Sequence, residues 1–253
     1  MKIKIIKCLQ DNYSYILINE KSNYACVIDP SESKPIINYI EKNNLKLKFI
    51  LNTHHHFDHV GGNEKLKEKY KSKILGYEID KNRIPGIDIY LKEKQNFKIG
   101  NTSFEVIFIP GHTKGHIAFH FKNEKIVFTG DTLFSLGCGK VFEGTNKQMF
   151  NSLNKLKNLP IDTKIYCGHE YTKKNFSFLE SQFDNFKIFE LERNKIEKQF
   201  SINNCTIPFS LNEEKKINPF LNPSSSYFDN FKKKYNFSNF EMFKFLREKK
   251  DVF

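Results

Sequence analysis

The sequence predicts an α+β chain in two parts, a β-sandwich over the first two thirds followed by a small helical domain. Three observations predict it. Short apolar or alternating runs, closed by turn-forming residues, recur from Lys2 to Cys167. Beyond Tyr171 the alternation stops and apolar residues fall at helical spacing among charges, as in the segment FKIFELERNKIEKQF. Four strand-like runs end in loops carrying His or Asp beside glycine, which is what a site at one edge of a sandwich needs.

The elements follow in order. Lys2 to Ile6, Tyr15 to Ile18 and Ala25 to Ile28 read as strands. Pro35 to Asn43 reads as a helix, Lys46 to Leu51 as a strand and Asn63 to Tyr70 as a second helix. Phe104 to Ile109, Ile117 to Phe121, Ile126 to Thr129 and Lys164 to Cys167 read as strands, with a helix at Met149 to Lys157. Phe176 to Phe200 reads as helical. Ser210 with Glu213, and Ser238 with Glu241, each fit a capping box, in which Ser accepts from the helix start and Glu reaches back. The division is a β-rich domain over 1–171 and a smaller helical domain over 172–253.

Composition narrows the class. A chain of 253 residues, 39% hydrophobic and 28% charged, buries a large core without disulfide staples. No apolar run approaches the roughly 20 residues of a membrane span. The first residues alternate like a strand and lack the continuous apolar stretch of a signal peptide, so a cytoplasmic location is expected. The five cysteines, Cys8, Cys26, Cys138, Cys167 and Cys205, are odd in number and form no CxxC pair, which fits a reducing compartment and argues against a cysteine zinc site. The net charge of +12 is compatible with simple solubility, or with an acidic partner: nucleic acid, anionic lipid or a small anionic substrate. The lysines are spread, with one KKK run at Lys232 to Lys234 and no long basic block, so nucleic acid is not the expected partner.

All eight histidines lie between positions 54 and 169. The run Thr53-His54-His55-His56-Phe57-Asp58-His59 follows the apolar strand KFIL and precedes Gly61-Gly62. His54 and His56, two apart in an extended segment, point the same way and can share one metal. Asp58 and His59 come a turn later and can face a second. Pro110-Gly111-His112, Gly130-Asp131 and Gly168-His169 each follow a strand in the same manner. A single His after a strand is more often a packing residue, and an isolated Gly-Asp is more often a turn. The HxHxDH spacing and the conjunction of four loops are far more restrictive, and imidazole with carboxylate suits zinc, iron or manganese.

THHHFDH followed by PGH, GD and GH in this order resembles the metallo-β-lactamase superfamily. The resemblance implies an αββα sandwich with the site between two sheets. It implies that His54, His56 and His112 bind one metal, that Asp58, His59 and His169 bind the other, and that Asp131 bridges them. The segments DNYSYILI, PGHTKGHI, GDTLFSLGCGKVFEGT, CGHEYT, NPF and the terminal REKKD are similar, more narrowly, to glyoxalase II, the hydroxyacylglutathione hydrolases, along essentially the whole chain. That family holds the glutathione part of its substrate with basic and tyrosine side chains. By motif these are Lys140, Tyr171, Arg247 and Lys250, with Lys249 one residue out of register. The family often has tyrosine where this chain has Phe142. His55, His116 and His120 are not ligands in the family pattern and are expected to support or pack.

The implied reaction is hydrolysis of S-D-lactoylglutathione to glutathione and D-lactate, the second step of methylglyoxal detoxification. The implied cofactors are two divalent metal ions, zinc first, with iron or manganese as alternatives. Two metals about 3.5–4 Å apart can share a bridging hydroxide near neutral pH. Asp58 and Asp131 are the carboxylates expected beside it. A thiolate, from a thiol of pKa about 8.5, leaves without a dedicated general acid. Nothing demands more than a monomer. Three other readings compete: a metal-dependent nuclease on the same fold, an iron dioxygenase acting on glutathione persulfide, and a non-catalytic basic module. The short segment between His112 and His169 leaves no room for a nuclease's large insertion, the long helical tail is unlike the dioxygenases, and a complete ligand set argues against a dead site.

Overall fold

The computed structural model describes residues 1–183 and 187–253. The first sheet runs in the order β1-β2-β3-β4-β5-β6. Its strands are β1 (Lys2–Cys8), β2 (Asn12–Asn19), β3 (Tyr24–Ile28), β4 (Lys46–Leu51), β5 (Lys73–Tyr77) and β6 (Ile89–Leu91). The first three are antiparallel, joined by short turns, and from β3 to β6 the neighbours are parallel. Parallel neighbours need crossovers. These are supplied by α1 (Ser33–Lys42) between β3 and β4, and by α2 (Phe57–Val60) and α3 (Asn63–Tyr70) between β4 and β5.

The second sheet has the order β14-β13-β10-β9-β8-β7. It comprises β7 (Asn96–Ile99), β8 (Thr102–Phe108), β9 (Ile117–Phe121), β10 (Ile126–Gly130), β13 (Lys164–Cys167) and β14 (Phe209–Ser210). A short hairpin of β11 (Leu133–Phe134) and β12 (Gly137–Cys138) leaves the end of β10, and α4 (Asn146–Lys157) precedes β13. The remaining helices are α5 (Thr172–Gln182), α6 (Lys187–Asn203), α7 (Leu211–Ile217), α8 (Asp229–Tyr235) and α9 (Asn239–Asp251). Among the described residues no helix is long and apolar enough to cross a membrane.

Side-chain alternation builds the layers. On β2 and β3, Tyr13, Tyr15, Leu17, Cys26 and Ile28 face the second sheet and meet Phe104, Val106, Phe119 and Phe128. The intervening Ile16, Ile18, Ala25 and Val27 face outward and are covered by Ile36 and Ile40 of α1 and Leu66 of α3. Both faces of β2 are thus buried, and the α+β sandwich with helices outside is the result.

The structure adds strands that the sequence reading passed over: β5, β6, β7, the hairpin and β14. β7 carries only half-buried or exposed residues and β6 is three residues long, so neither has a clear apolar signature. β14 departs most from expectation. It lies inside the region read as purely helical, yet it pairs antiparallel with β13 and ties that region into the second sheet. The helical stretch expected over 176–200 is divided between α5 and α6, and its portion at 184–186 lies outside the described residues. The Ser238–Glu241 capping box forms. The Ser210–Glu213 box does not: Ser210 makes no side-chain cap bond, and the Glu213 carboxylate accepts from Lys195 Nζ at 2.5 Å instead of reaching back.

Phe128 sits where the sheets meet, its ring 5.1 Å from Tyr15, 5.8 Å from Phe121 and 5.0 Å from Tyr166. Phe128→Ala is expected to cost about 3–5 kcal/mol of stability in denaturant unfolding. A loss below about 1 kcal/mol would show that this cluster does not hold the sheets together.

Candidate metal centre

One edge of the sandwich gathers the loop residues. The ends of β3, β4, β8, β10 and β13 and the start of β2 all open there. The two sheets are joined at this edge by backbone bonds from Ile117 N to the Thr53 carbonyl, 2.9 Å, and from Tyr13 N to the Gly168 carbonyl, 2.8 Å. Glycine is required at Gly130 and Gly168. Gly130 has φ +47°, and a Cβ there would meet Thr53 Oγ1 at 2.4 Å. A Cβ on Gly168 would lie 2.2 Å from Asp131 Oδ1 and 2.6 Å from His59 Cε1, inside the cluster itself.

Two groups of donors form. His54, His56 and His112 have ligand atoms within 4.8 Å of one another, and so have Asp58, His59 and His169. Asp131 stands between the groups, Oδ2 being 3.5 Å from His112 Nε2 and 3.2 Å from His169 Nε2, and Oδ1 3.4 Å from His59 Nε2. The outer nitrogens of His54, His59, His112 and His169 are held, which turns the inner ones to the centre. His112 Nδ1–H donates to the Lys140 carbonyl, 2.8 Å. His59 Nδ1–H donates to Asp29 Oδ2, 3.0 Å, and His169 Nδ1–H to Asp11 Oδ1, 2.8 Å. His54 Nδ1 pairs with Thr53 Oγ1 at 3.0 Å. His54 Nε2 and Asp131 Oδ1 are buried without a hydrogen bond among the described residues. Buried polar atoms are rarely left so without an ion or water to meet them. The donor set therefore fits a divalent cation, and imidazoles backed by carboxylates are the usual support for one.

The electrostatics divide the cluster. Burial, reinforced by neighbouring histidines, holds His54 well below the ordinary imidazole range and His56 at about 4. Burial lowers His112 as well, against the pull of Asp131. These three imidazoles are neutral near pH 7. On the other side burial would also lower His59, but Asp131 and Asp29 outweigh it and lift His59 to about 10. Burial is likewise outweighed at His169, raised by Asp131, Asp11 and Asp58. Asp58 stays ionised: burial would raise it, but His169, His59 and the Asn12 amide at 2.9 Å bring it far down. This half of the site concentrates negative charge that wants a cation.

Sequence reasoning missed the supporting carboxylates. Asp29 is 2% exposed and accepts from Thr53 N at 2.7 Å and Thr53 Oγ1 at 2.6 Å as well as from His59. It lies close enough to His54 and His59 to form a third donor group, but its oxygens are already taken. It follows β3 as the other loop residues follow their strands, a signal that could have found it. Asp11 lies inside the quoted hairpin motif. His116, expected to support, accepts from Asp131 N at 3.1 Å and stacks on His54 at 4.6 Å. His55 reaches Asp80 at 3.2 Å and Glu143 at 3.5 Å, and His120 is a buried residue of β9.

Around the rim, Phe142 is 61% exposed, with its ring 5.8 Å from His56 and 5.2 Å from His112. Tyr171 stacks on His169 at 4.7 Å, and burial raises its phenol to about 12, so it remains a neutral hydroxyl. Lys140 is exposed, with Nζ 5.7 Å from the Phe142 ring. Lys250 bonds Asn175 and lies beneath Gly137. Lys249 is exposed, beside Phe245. Arg247, expected from the resemblance to meet substrate, is turned into the protein. It is 3% exposed, and its guanidinium donates to the Cys138 carbonyl at 2.8 Å, the Gly139 carbonyl at 3.3 Å and Asp251 at 2.9 Å.

Removing the carboxylate behind His169 tests this geometry. Asp11→Ala is expected to weaken divalent-cation affinity about 10- to 100-fold with the fold retained. Competition with a chromophoric chelator measures it, and an unchanged affinity would remove Asp11 from the site.

The metallo-beta-lactamase superfamily model matches residues 10–169, and the model of the hydroxyacylglutathione hydrolase C-terminus matches residues 170–253. The hydroxyacylglutathione hydrolase of Pelagibacter ubique is 53% identical over 233 residues, 92% of this chain and 97% of that one. The hydroxyacylglutathione hydrolase of Methylococcus capsulatus is 38% identical over 253 residues, 100% of this chain and 99% of its own. Among solved structures, the BLEG-1 B3 metallo-beta-lactamase superposes with a TM-score of 0.67 at 22% identity, covering 87% of this chain and 99% of that one, a likeness of fold. With both halves matched and relatives this similar along their length, the chain belongs to the metallo-β-lactamase superfamily and, within it, to the hydroxyacylglutathione hydrolases, the glyoxalase II family.

Proposed function

We propose that this protein hydrolyses S-D-lactoylglutathione to glutathione and D-lactate. The observation that carries the reading is the pair of His/Asp groups meeting at Asp131, in a chain whose relatives along its whole length are hydroxyacylglutathione hydrolases. The ligand sets we assign are His54, His56 and His112 on one side and Asp58, His59 and His169 on the other, with Asp131 common to both. Two cations, with zinc the first choice, match this division of donors. When bound, such a pair supplies the Lewis acidity that activates water and polarises the thioester carbonyl.

The chain's own residues do the rest. Asp58 and Asp131 keep their carboxylates ionised at the reacting centre, Asp58 oriented by the Asn12 amide. No residue has to protonate the leaving group, since a thiolate departs readily near neutral pH. Lys140, Tyr171 and Lys250 form the basic and aromatic wall that receives the glutathione moiety, with Arg247 adding positive charge from behind. In this reading the chain divides into a metal-holding part over 1–171 and a substrate-binding part over 172–253. The net charge of +12 favours approach of an anionic thioester. The nuclease, persulfide dioxygenase and binding-module readings are not favoured beside relatives of this similarity.

Steady-state hydrolysis of S-D-lactoylglutathione is the direct test, run with metal analysis on the parent and on Asp131→Ala. We expect turnover in the parent and loss of both metal and activity in the variant. A parent that holds metal yet leaves this thioester intact would refute the substrate.

Burial, helped by Arg247, lowers Lys250 to about 7. Its cationic form is therefore present below pH 7 and lost above it, and KM is expected to rise several-fold between pH 6 and 8. Lys250→Ala should raise KM and flatten that rise, whereas an unchanged profile would exclude Lys250 from substrate binding. Phe142→Tyr, which restores a hydroxyl at the rim, should lower KM without changing metal content.

A further inference from the structure

Between Asp131 and Lys140 the chain makes the β11–β12 hairpin, and both of its ends belong to the metal centre. Its start is the residue shared by the two donor groups. Its far end presents the Lys140 carbonyl that accepts from His112 Nδ1. The ends are stitched together by Gly139 N bonding the Thr132 carbonyl at 3.2 Å, and a Cβ on Gly139 would strike the Asp131 carbonyl at 1.9 Å.

The tip of the hairpin is not self-sufficient. Leu136 has φ +58°, a left-handed backbone that is uncommon and costly for a leucine and that its surroundings must offset. The surroundings are a set of buried polar side chains from the helical segment. Glu214, 2% exposed, accepts from Leu136 N and Ser135 Oγ, both at 2.9 Å. Asn218, fully buried, donates to the Phe134 carbonyl at 3.3 Å, the Gly137 carbonyl at 3.2 Å and Glu214 at 2.8 Å. Asn175 donates to the Ser135 carbonyl at 2.8 Å, and Arg247 holds the carbonyls of Cys138 and Gly139. Burying a carboxylate and amides this deeply is costly unless each is matched, and here the matching partners are mostly hairpin backbone.

We propose that Glu214, acting with Asn218, is a positioning residue of the metal centre: it imposes the hairpin's conformation and thereby sets Asp131 at one end and His112, through Lys140, at the other. This rests on the reading of those residues as metal ligands. The helical segment then determines metal affinity and turnover in addition to receiving substrate.

The test uses the full chain and Zn²⁺ as the probe, with affinity read by chelator competition and kcat and KM measured at saturating Zn²⁺. Glu214→Ala is expected to weaken Zn²⁺ binding about 10- to 100-fold, the range for residues that support ligands. It should also lower kcat about tenfold with KM within twofold. Glu214→Gln, which keeps the shape and can still meet Leu136 N, Asn218 and Ser135, should recover most of the loss. Ser135→Ala removes one contact from the hairpin side without emptying the helix packing, and should shift affinity in the same direction by a few-fold. Unchanged Zn²⁺ affinity and kcat with a lowered melting temperature would overturn the proposal, leaving Glu214 a structural anchor only. A rise in KM alone would overturn it in favour of a substrate-binding role. If Glu214→Ala does not fold, parental Zn²⁺ affinity and kcat in Ser135→Ala would overturn the proposal in its place. A parent that takes up no Zn²⁺ would refute the metal reading itself, a result distinct from any of these.

Discussion

The charge of Asp131 is the constraint around which this molecule is arranged. Asp131 is 6% exposed, and its carboxylate lies within 3.5 Å of three imidazole Nε2 atoms. An ionised carboxylate cannot be buried this deeply without nearby positive charge. The imidazoles do not supply it evenly. His54, His56 and His112 are driven toward neutrality by burial and by one another, while His59 and His169 are driven toward protonation by Asp131 and by the carboxylates behind them. A divalent cation would satisfy both halves at once, held by the neutral nitrogens on one side and displacing the Nε2 protons of His59 and His169 on the other, where it offsets the carboxylates.

The fold provides the rigidity this arrangement needs. Each donor-bearing loop is short and begins where a buried strand ends, so its direction is inherited from the sheets. Asp29 shows how closely the parts are coupled. A single buried carboxylate at the end of β3 fixes the start of the histidine loop through Thr53 and the tautomer of His59 through Nδ1. Gly168 and Gly130 leave the space that the cluster fills, and His116 holds the backbone of Asp131 from below.

The helical segment is joined to this edge by more than apolar contact. β14 extends the second sheet, and α5, α7 and α9 send Asn175, Glu214 and Arg247 into the backbone of the hairpin that follows Asp131. A charged group buried against main chain holds one geometry because alternatives leave it unmatched. The site is accordingly built from the whole length of the chain.

Much of this was legible in the sequence for a simple reason. Period-two alternation, turn residues and ligand spacing are local, so the strands β4 and β9, the helix α3 and the Ser238–Glu241 capping box follow from neighbours along the chain. The clustering of histidines between 54 and 169 and the strand-then-ligand loops named the residues the fold brings together. What the tertiary structure alone decided depends on residues distant in sequence. Asp11 meets His169 across 158 positions, and Glu214 meets Leu136 across 78. Strands such as β14 exist only because a neighbour offers an edge to pair with. Glu213 and Glu214 are adjacent and chemically alike, yet one turns to solvent and Lys195 while the other enters the core. Arg247 is named by motif as a substrate-binding cation, but its burial against the Cys138 and Gly139 carbonyls is visible only in the packed chain. Burial and hydrogen-bond partners are properties of the packed chain, so the sequence by itself determined which chemistry was assembled, and the tertiary structure decided which side chains hold it in place.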